Sequence, residues 1–220
     1  MTLKVISYLR RREGKLKNKI GLLLVVFVAI MLALPIMARA QQDNFELGEF
    51  EPFAVYVDRS SRENHYIASG WMGDYGDIRI SEGEKENPYS GTTCIKITYT
   101  AEGNQGAGWA GLYWQWPPNN WGERKGGFDL TGATKLTFWA RGENGGEQIM
   151  EFKMGGLTGT YSDSDSATIG PVELTLEWTQ YTIDLSNLDL SYISAGFCWV
   201  TNNMAAPDGV IFYLDDIIYE

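Results

Sequence analysis

Apolar and polar residues alternate along most of the chain beyond residue 50, in short segments separated by glycine-rich turns. Residues two apart on a strand share a face, so this alternation indicates β-strands that bury one side. Little of this part of the sequence has the period of a helix. The pattern predicts nine strands, over residues 53–57, 77–80, 93–100, 109–116, 135–141, 148–154, 179–185, 196–200 and 210–219. Such a series of short strands indicates an all-β sandwich.

The segment 108–121, GWAGLYWQWPPNNW, is rich in aromatic residues and contains no charge. As a strand it divides into two faces, one with Trp109, Gly111, Tyr113 and Gln115 and the other with Ala110, Leu112, Trp114 and Trp116. The second face is wholly apolar and is predicted to be core. The first offers aromatic rings for the C–H patches of a sugar and an amide for its hydroxyl groups. The alternative is a strand buried on both faces, with ordinary core aromatics.

Further candidate ligand-binding residues lie on other predicted strands and loops. In the segment 148–154, Glu151 and Lys153 point away from an apolar side made by Met150, Phe152 and Met154. If this strand and 109–116 belong to one sheet, they line one concave surface; the alternative is a solvated charge pair. Tyr161 begins a polar, acidic loop, and Trp199 precedes amide residues at a strand end. The predicted carbohydrate-binding residues are Trp109, Tyr113, Gln115, Glu151, Lys153, Tyr161 and Trp199.

The first 40 residues differ from the rest of the chain. Basic residues between positions 10 and 19 precede an apolar run over 20–34, and Pro35 and the sequence Ala38-Arg39-Ala40 follow. This order is typical of a hydrophobic signal helix that is cleaved after Ala40. The alternative is a retained membrane anchor over 20–38, close to the ~20 residues that span a bilayer. Both place the domain at 41–220 outside the cytoplasm, as a secreted, periplasmic or cell-surface protein.

The charge of the chain argues against nucleic acid as a partner. Residues 1–40 hold eight of the 18 basic and one of the 28 acidic residues, so the remainder has ten and 27, a net charge of −17. Such a surface repels phosphate backbones. The one histidine, His65, leaves little basis for a Ser/His/Asp site. Cys94 and Cys198 are either a disulfide of an exported protein or two buried thiols.

Four segments together resemble the β-jelly-roll carbohydrate-binding modules: GWAGLYWQWPPNNWG, GGFDLTGATKLTFWARG, EWTQYTIDL and IFYLDDIIYE. The nearest type is the family-eleven module that binds β-glucans, within the galactose-binding-like set. The resemblance covers about 45–220 and implies a jelly roll, an all-β, two-sheet antiparallel β-sandwich behind the signal helix. The aromatic-glycine strand of the family falls on Trp109, Gly111, Trp114 and Pro117, with Trp109 in place of a cleft tyrosine. The segments 58–77 and around Tyr161 match the family poorly, so the sugar stays open.

The resemblance also implies a structural calcium ion. The closing strand of the family matches 214–217, where Asp215 is the first choice as ligand and Asp216 the second. Asp43, Asn44 and Glu46 are the candidate partners. Hard oxygen ligands suit calcium, whereas the alternative is a pair of solvated acids at a strand end.

The function expected from these observations is an exported, non-catalytic carbohydrate-binding protein whose aromatic-lined concave sheet binds a glucan-like polysaccharide or oligosaccharide. One alternative is a polysaccharide-degrading enzyme of the jelly-roll type. A glycosidase needs two carboxyl groups, about 5–5.5 Å apart for retention or about 6.5–9.5 Å for inversion, and the pattern places only Glu151 on the candidate face. The other alternative is an assembly module that uses the aromatics to anchor a protein partner.

Overall fold

The computed structural model describes residues 50–220, and strands make up most of the regular structure of this part. The strands of the described residues are β1 Phe53–Tyr56, β2 Ile67–Gly73, β3 Ile78–Glu84, β4 Cys94–Tyr99, β5 Trp109–Gln115, β6 Lys135–Gly142, β7 Gln148–Ile149, β8 Glu151–Gly155, β9 Ser166–Ile169, β10 Val172–Glu173, β11 Thr179–Asp184, β12 Ala195–Asn202 and β13 Val210–Tyr219. A single 3-10 turn, Tyr75–Asp77, separates β2 from β3. Within residues 50–220, no helix is long and apolar enough to cross a bilayer. The predicted signal helix, the anchor alternative and the domain boundary at residue 41 lie outside the described residues.

Two antiparallel sheets form a sandwich. Sheet I has six strands, in the order β11-β6-β13-β4-β3 with β1 also paired to β13. Sheet II has five strands, in the order β2-β5-β12-β8-β9. A small third sheet pairs β10 with β7. The all-β antiparallel sandwich predicted from the sequence is confirmed.

Aromatic side chains from both sheets meet in the core. The ring of Phe138 on β6 lies 4.7 Å from that of Phe152 on β8 and 5.0 Å from that of Phe197 on β12, between ring centroids. Trp199 on β12 meets Phe212 on β13 edge-on at 5.2 Å. Burial of rings of this size supplies much of the hydrophobic free energy of folding.

The prediction for the core side of β5 is confirmed for Ala110, Leu112 and Trp114, but it is wrong for Trp116, which is 40% exposed. Ala110, Leu112 and Trp114 lie in the main core with no exposed surface, whereas Tyr113 packs in a separate cluster on the other side of sheet II. The strand ends at Gln115, and Trp116 follows it outside the strand. Sheet II therefore has an inner face toward sheet I and an outer face that carries the odd-numbered residues of β5.

Three strands were not predicted from the sequence pattern. β2 has the sequence IASGWMG, and a register shift between Ala68 and Gly70 breaks its alternation. β9 and β10 are short and partly exposed, which gives a weak signal. The predicted strand 148–154 is broken at Met150, so Ile149 faces the core, contrary to the prediction, while Phe152 and Met154 face it as predicted.

Both cysteines are free, buried thiols. Cys94 begins β4 in sheet I, whereas Cys198 lies on β12 in sheet II with its side chain in the outer cluster around Tyr113. The disulfide alternative is therefore wrong, and burial raises the pKa of both thiols.

Candidate functional site

The outer face of sheet II brings together four of the predicted binding residues. Strands β5 and β8 both pair with β12, with Trp109 opposite Asn202, Tyr113 opposite Cys198, Cys198 opposite Lys153, and Val200 opposite Glu151. Directly paired residues of antiparallel strands project from the same face. Trp109, Tyr113, Glu151 and Lys153 therefore share one face, as the sequence predicted for two strands of one sheet.

Trp109 and Glu151 are the open members of this group. The indole of Trp109 is 38% exposed at the start of β5, and Glu151 is exposed at the start of β8. Lys153 is half-buried, and its Nζ lies 5.7 Å from the centroid of the Tyr113 ring. An exposed aromatic ring on the same face as an acceptor and a donor can contact an extended ligand that has both C–H faces and hydroxyl groups.

Tyr113 lies on the predicted face but not in a position to stack on a ligand. Only 4% of its surface is exposed, because Trp121 meets its ring edge-on at 6.3 Å and Leu157 packs beside it. Its hydroxyl donates to the carbonyl oxygen of Gly155 at 3.3 Å, and burial raises its pKa. The prediction that Tyr113 stacks on a sugar is wrong, and the residue forms the floor under Lys153 and Trp121.

Gln115 is also excluded from the ligand by its burial. It is fully buried, its Nε2 donates to the carbonyl oxygen of Asn120 at 2.9 Å, and its Oε1 accepts from Ser69 Oγ at 3.1 Å. The amide thus ties the turn after β5 to β2. The prediction that Gln115 bonds sugar hydroxyl groups is wrong, because both ends of its amide already have partners.

Trp199 faces the core instead of the ligand. It is paired with Leu112 and Phe152, both of which point toward sheet I, and it has no exposed surface. The sequence around it, GFCWV, is apolar at every position, so alternation could not distinguish the two faces. The assignment of Trp199 to the binding site is wrong.

Two loops border the outer face and add aromatic side chains. Tyr161 is exposed, and its backbone N–H donates to the carbonyl oxygen of Gly122 at 2.8 Å, which joins the loop before β9 to the loop after β5. Trp121 on the second loop is exposed and contacts Tyr113. The sequence analysis did not select Trp121, although it lies in the same aromatic segment as Trp109.

A partly buried carboxylate, Asp163, holds the loop that carries Tyr161 by hydrogen bonds. Asp163 accepts the N–H of Leu157 at 3.0 Å and the N–H groups of Ser194 and Ala195 at 2.5 and 3.4 Å. These bonds tie the loop to the start of β12. Burial raises the pKa of Asp163, and the three N–H donors oppose that rise. Asp163 therefore acts as a structural acceptor behind Tyr113.

The surroundings of Asp215 consist of hydrogen-bond donors. Its Oδ2 accepts the N–H groups of Tyr89 and Ser90 at 2.9 and 3.2 Å, and its Oδ1 accepts the N–H of Asp216 at 3.0 Å. Asp216 accepts from Ser90 Oγ at 3.0 Å. Burial raises the pKa of Asp215 to about 7. Among residues 50–220, no three Asp, Glu, His or Cys side chains form a group that could hold a metal ion.

Within the described residues, the oxygens of Asp215 accept three backbone N–H groups, so most of the oxygen ligands that calcium needs would have to come from other residues. Asp43, Asn44 and Glu46, the proposed partners, lie outside the described residues. Calcium therefore stays a prediction that depends on those partners.

Chelation tests the calcium prediction. If an ion is bound, excess EDTA lowers the thermal midpoint by several degrees and added calcium restores it, because a ligand of the folded state stabilises that state. Differential scanning calorimetry of the full chain measures the shift, with a variant carrying both Asp43→Asn and Glu46→Gln as the control that no longer responds. An unchanged midpoint, with no calcium detected in the purified protein by emission spectroscopy, would remove the ion from the account.

Comparisons with known proteins place the fold. No family model matches the sequence, and no curated protein matches it either. A family 30 carbohydrate-binding module is similar in structure, with a TM-score of 0.54, 17% identity and coverage of 78% of this chain and 88% of that one. The family 30 module of a cellulosomal cellulase of Clostridium thermocellum has a TM-score of 0.52 and 16% identity, with coverage of 77% of this chain and 97% of that one. A family 11 module from the same organism has a TM-score of 0.47 and 14% identity, with coverage of 74% of this chain and 92% of that one.

The family 30 structures have the same fold as this chain, at low sequence identity. The resemblance of the sequence to a β-jelly-roll carbohydrate-binding module is thereby confirmed for the fold. The fold is therefore a β-sandwich of the type that the family 30 carbohydrate-binding modules have.

Proposed function

We propose that the protein is an exported, non-catalytic carbohydrate-binding protein that holds a glucan-like polysaccharide or oligosaccharide on the outer face of sheet II. The observation that carries the proposal is the exposed indole of Trp109, on the same face as Glu151 and Lys153. The family 30 neighbours are carbohydrate-binding modules, which supports the ligand class by analogy of fold alone.

The register gives the proposed ligand a minimum size. Trp109 on β5 and Glu151 on β8 are separated by one intervening strand, β12. Neighbouring strands lie about 4.8 Å apart, and the partners of Trp109 and Glu151 on β12 are two residues apart, at about 3.4 Å each. Contact with both residues therefore requires a ligand that spans about 12 Å. This span favours an oligomeric chain over a single small molecule. Trp109 would stack on one ring, while Glu151 accepts from hydroxyl groups and Lys153 donates to them.

The enzyme alternative depends on a second carboxyl group near Glu151. Asp163 and Glu151 both lie near enough to Tyr113 for their charges to add to the rise in its pKa, although burial is the larger cause. Asp163 is engaged by three backbone N–H groups, so neither of its oxygens is free of a partner. We therefore propose binding without cleavage.

The proposal is tested by native affinity electrophoresis of the purified protein through gels that contain one soluble polysaccharide each. Mixed-linked β-glucan, a soluble cellulose derivative, glucomannan and xylan make a suitable set. We expect retardation in at least one glucan-containing gel and no release of reducing ends after prolonged incubation. Release of reducing ends would favour the enzyme. Unretarded migration in every gel, with capture of a protein partner instead, would favour the assembly module.

The charged pair should contribute modestly to affinity. Glu151→Gln replaces one acceptor oxygen and removes the charge, and Lys153→Met removes the donor. A hydrogen bond is worth about 0.5–1.5 kcal/mol, so we expect affinity to fall about two- to tenfold. Isothermal titration with the retarded glucan measures the change. Glu63→Gln, at an exposed glutamate in the loop between β1 and β2, is the matched control. Equal effects of Glu151→Gln and Glu63→Gln would remove Glu151 from the site.

A further inference from the structure

A buried carboxylate on the turn after β2 holds the loop that leads into Trp109. Asp74 Oδ1 accepts the N–H groups of Gln105 and Ala107 at 2.8 and 2.9 Å, and its Oδ2 accepts the N–H of Gly108 at 2.6 Å. Asp74 has no exposed surface. Three donors from the four residues that precede the exposed indole therefore converge on one side chain.

The backbone of the same turn contacts Trp109 itself. The N–H of Asp74 donates to the carbonyl oxygen of Trp109 at 2.7 Å. Gly73 has a φ of +61°, and a Cβ at that position would lie 2.2 Å from this oxygen and 3.0 Å from Cδ2 of the indole. The left-handed backbone and the close approach both require glycine. The indole thus packs directly over residue 73.

Because Asp74 is charged, the loss of these hydrogen bonds would be costly. The backbone N–H groups, that of Ala107 foremost, lower the pKa of the Asp74 carboxyl, so it is ionised at neutral pH. Within residues 50–220 the one ion pair is Lys135 with Glu220, so no cation neutralises Asp74 there. A buried charge without its hydrogen bonds is costly. Movement of the loop would leave the carboxylate without its donors, which opposes that movement.

We propose that Asp74 is a positioning residue that sets the orientation of Trp109 on the outer face of sheet II without touching the ligand. The effect of Asp74 on binding rests on the proposed function. Its effect on the orientation of Trp109 does not. The loop before Trp109 includes four residues with positive φ, namely Ala101, Gly103, Gly106 and Gly108. Such a loop has little intrinsic order, so the carboxylate supplies the restraint that the loop sequence lacks.

The structural part is tested without any ligand. Asp74→Asn keeps the shape of the side chain but turns one acceptor into a donor that faces backbone N–H groups. We expect the indole N–H resonance of Trp109, assigned by its loss in Trp109→Phe, to shift or broaden in a ¹H–¹⁵N spectrum of the full chain.

The control is Asp77→Asn. Asp77 accepts the N–H groups of Gly103 and Asn104 at 2.7 and 3.3 Å, in the part of the loop farther along the chain from Trp109, and its loss should leave that resonance in place. An unmoved resonance in Asp74→Asn, or an equal shift in both variants, would overturn the proposal. If Asp74→Asn does not fold, Asp74→Ser, which retains one acceptor oxygen without the charge, takes its place in the same comparison.

The binding part is tested by a double-mutant cycle. Asp74→Asn should weaken glucan binding about fivefold or more in the native background, yet cause no further loss when Trp109 is already alanine. The same loss in both backgrounds would show that Asp74 does not act through Trp109. If the native protein binds no polysaccharide, the proposed function fails, while the resonance experiment still decides whether Asp74 orients the indole.

Discussion

Replacing Trp109 by alanine is expected to weaken glucan binding by about tenfold to a hundredfold, equivalent to about 1.4–2.8 kcal/mol. The indole is a large, exposed aromatic on the outer face of sheet II, and aromatic anchors that become buried on binding dominate recognition surfaces. The thermal midpoint should stay within about 2 °C, because substitutions of exposed side chains change stability little. Isothermal titration and calorimetry on the same preparation measure both quantities.

Trp116→Ala is the matched control. Trp116 is 40% exposed, nearly the same as Trp109, and follows the same strand, but its ring packs on Phe128 with the centroids 6.1 Å apart. The Trp116→Ala substitution should therefore leave the affinity for the glucan unchanged. If Trp109→Ala lowers the thermal midpoint as much as the affinity, the indole serves the core and the stacking role is wrong. If both variants lose affinity equally, Trp109 has no specific role as the stacking residue, because Trp116 lies beyond the opposite end of β5.

The sequence was sufficient to predict the sandwich and the sides of β5. Ala110, Leu112 and Trp114 alternate with polar or aromatic neighbours, which is a local property of the sequence. All three are buried in the core as predicted. Glu151 and Lys153 share a face with Trp109 because β5 and β8 both pair with β12, which is a long-range property of the fold. The sequence pattern predicted the shared face only if the two strands belonged to one sheet.

The burial of Tyr113 and Gln115 could not be predicted in the same way. Period-two alternation assigns a residue to a face, but it does not say what later segments cover that face. Here Trp121 and Leu157, from two loops, close over Tyr113, and the turn at Asn120 uses the amide of Gln115. Being on the outer face and being accessible are separate properties.

This separation also explains the form of the proposed site. Tyr113 is packed against Leu157, Ala195 and Cys198 and is hydrogen-bonded to Gly155, whereas Trp109 remains open at the start of β5. A ring that is already ordered loses little entropy on binding, which benefits affinity. The covered residues therefore support the exposed one, and the site depends on loops whose positions come from Asp163 and Asp74.

Trp199→Ala is expected to lower the free energy of unfolding by about 3–5 kcal/mol, because it removes a fully buried ring from between the two sheets. Chemical denaturation followed by circular dichroism measures the loss. A binding-site tryptophan would show the opposite behaviour, with stability retained and affinity reduced. Retained stability would therefore reinstate the original assignment of Trp199 to the ligand.

Trp199→Phe is the informative partner of that variant. The indole Nε1 of Trp199 is buried and has no hydrogen-bond partner among the described residues. An unsatisfied buried donor costs about 1–3 kcal/mol, so phenylalanine removes this cost while it leaves a smaller cavity than alanine does. The two changes oppose each other, and we expect a net loss below about 1.5 kcal/mol. A loss from Trp199→Phe as large as that from Trp199→Ala would mean that the indole N–H is bonded in the folded protein.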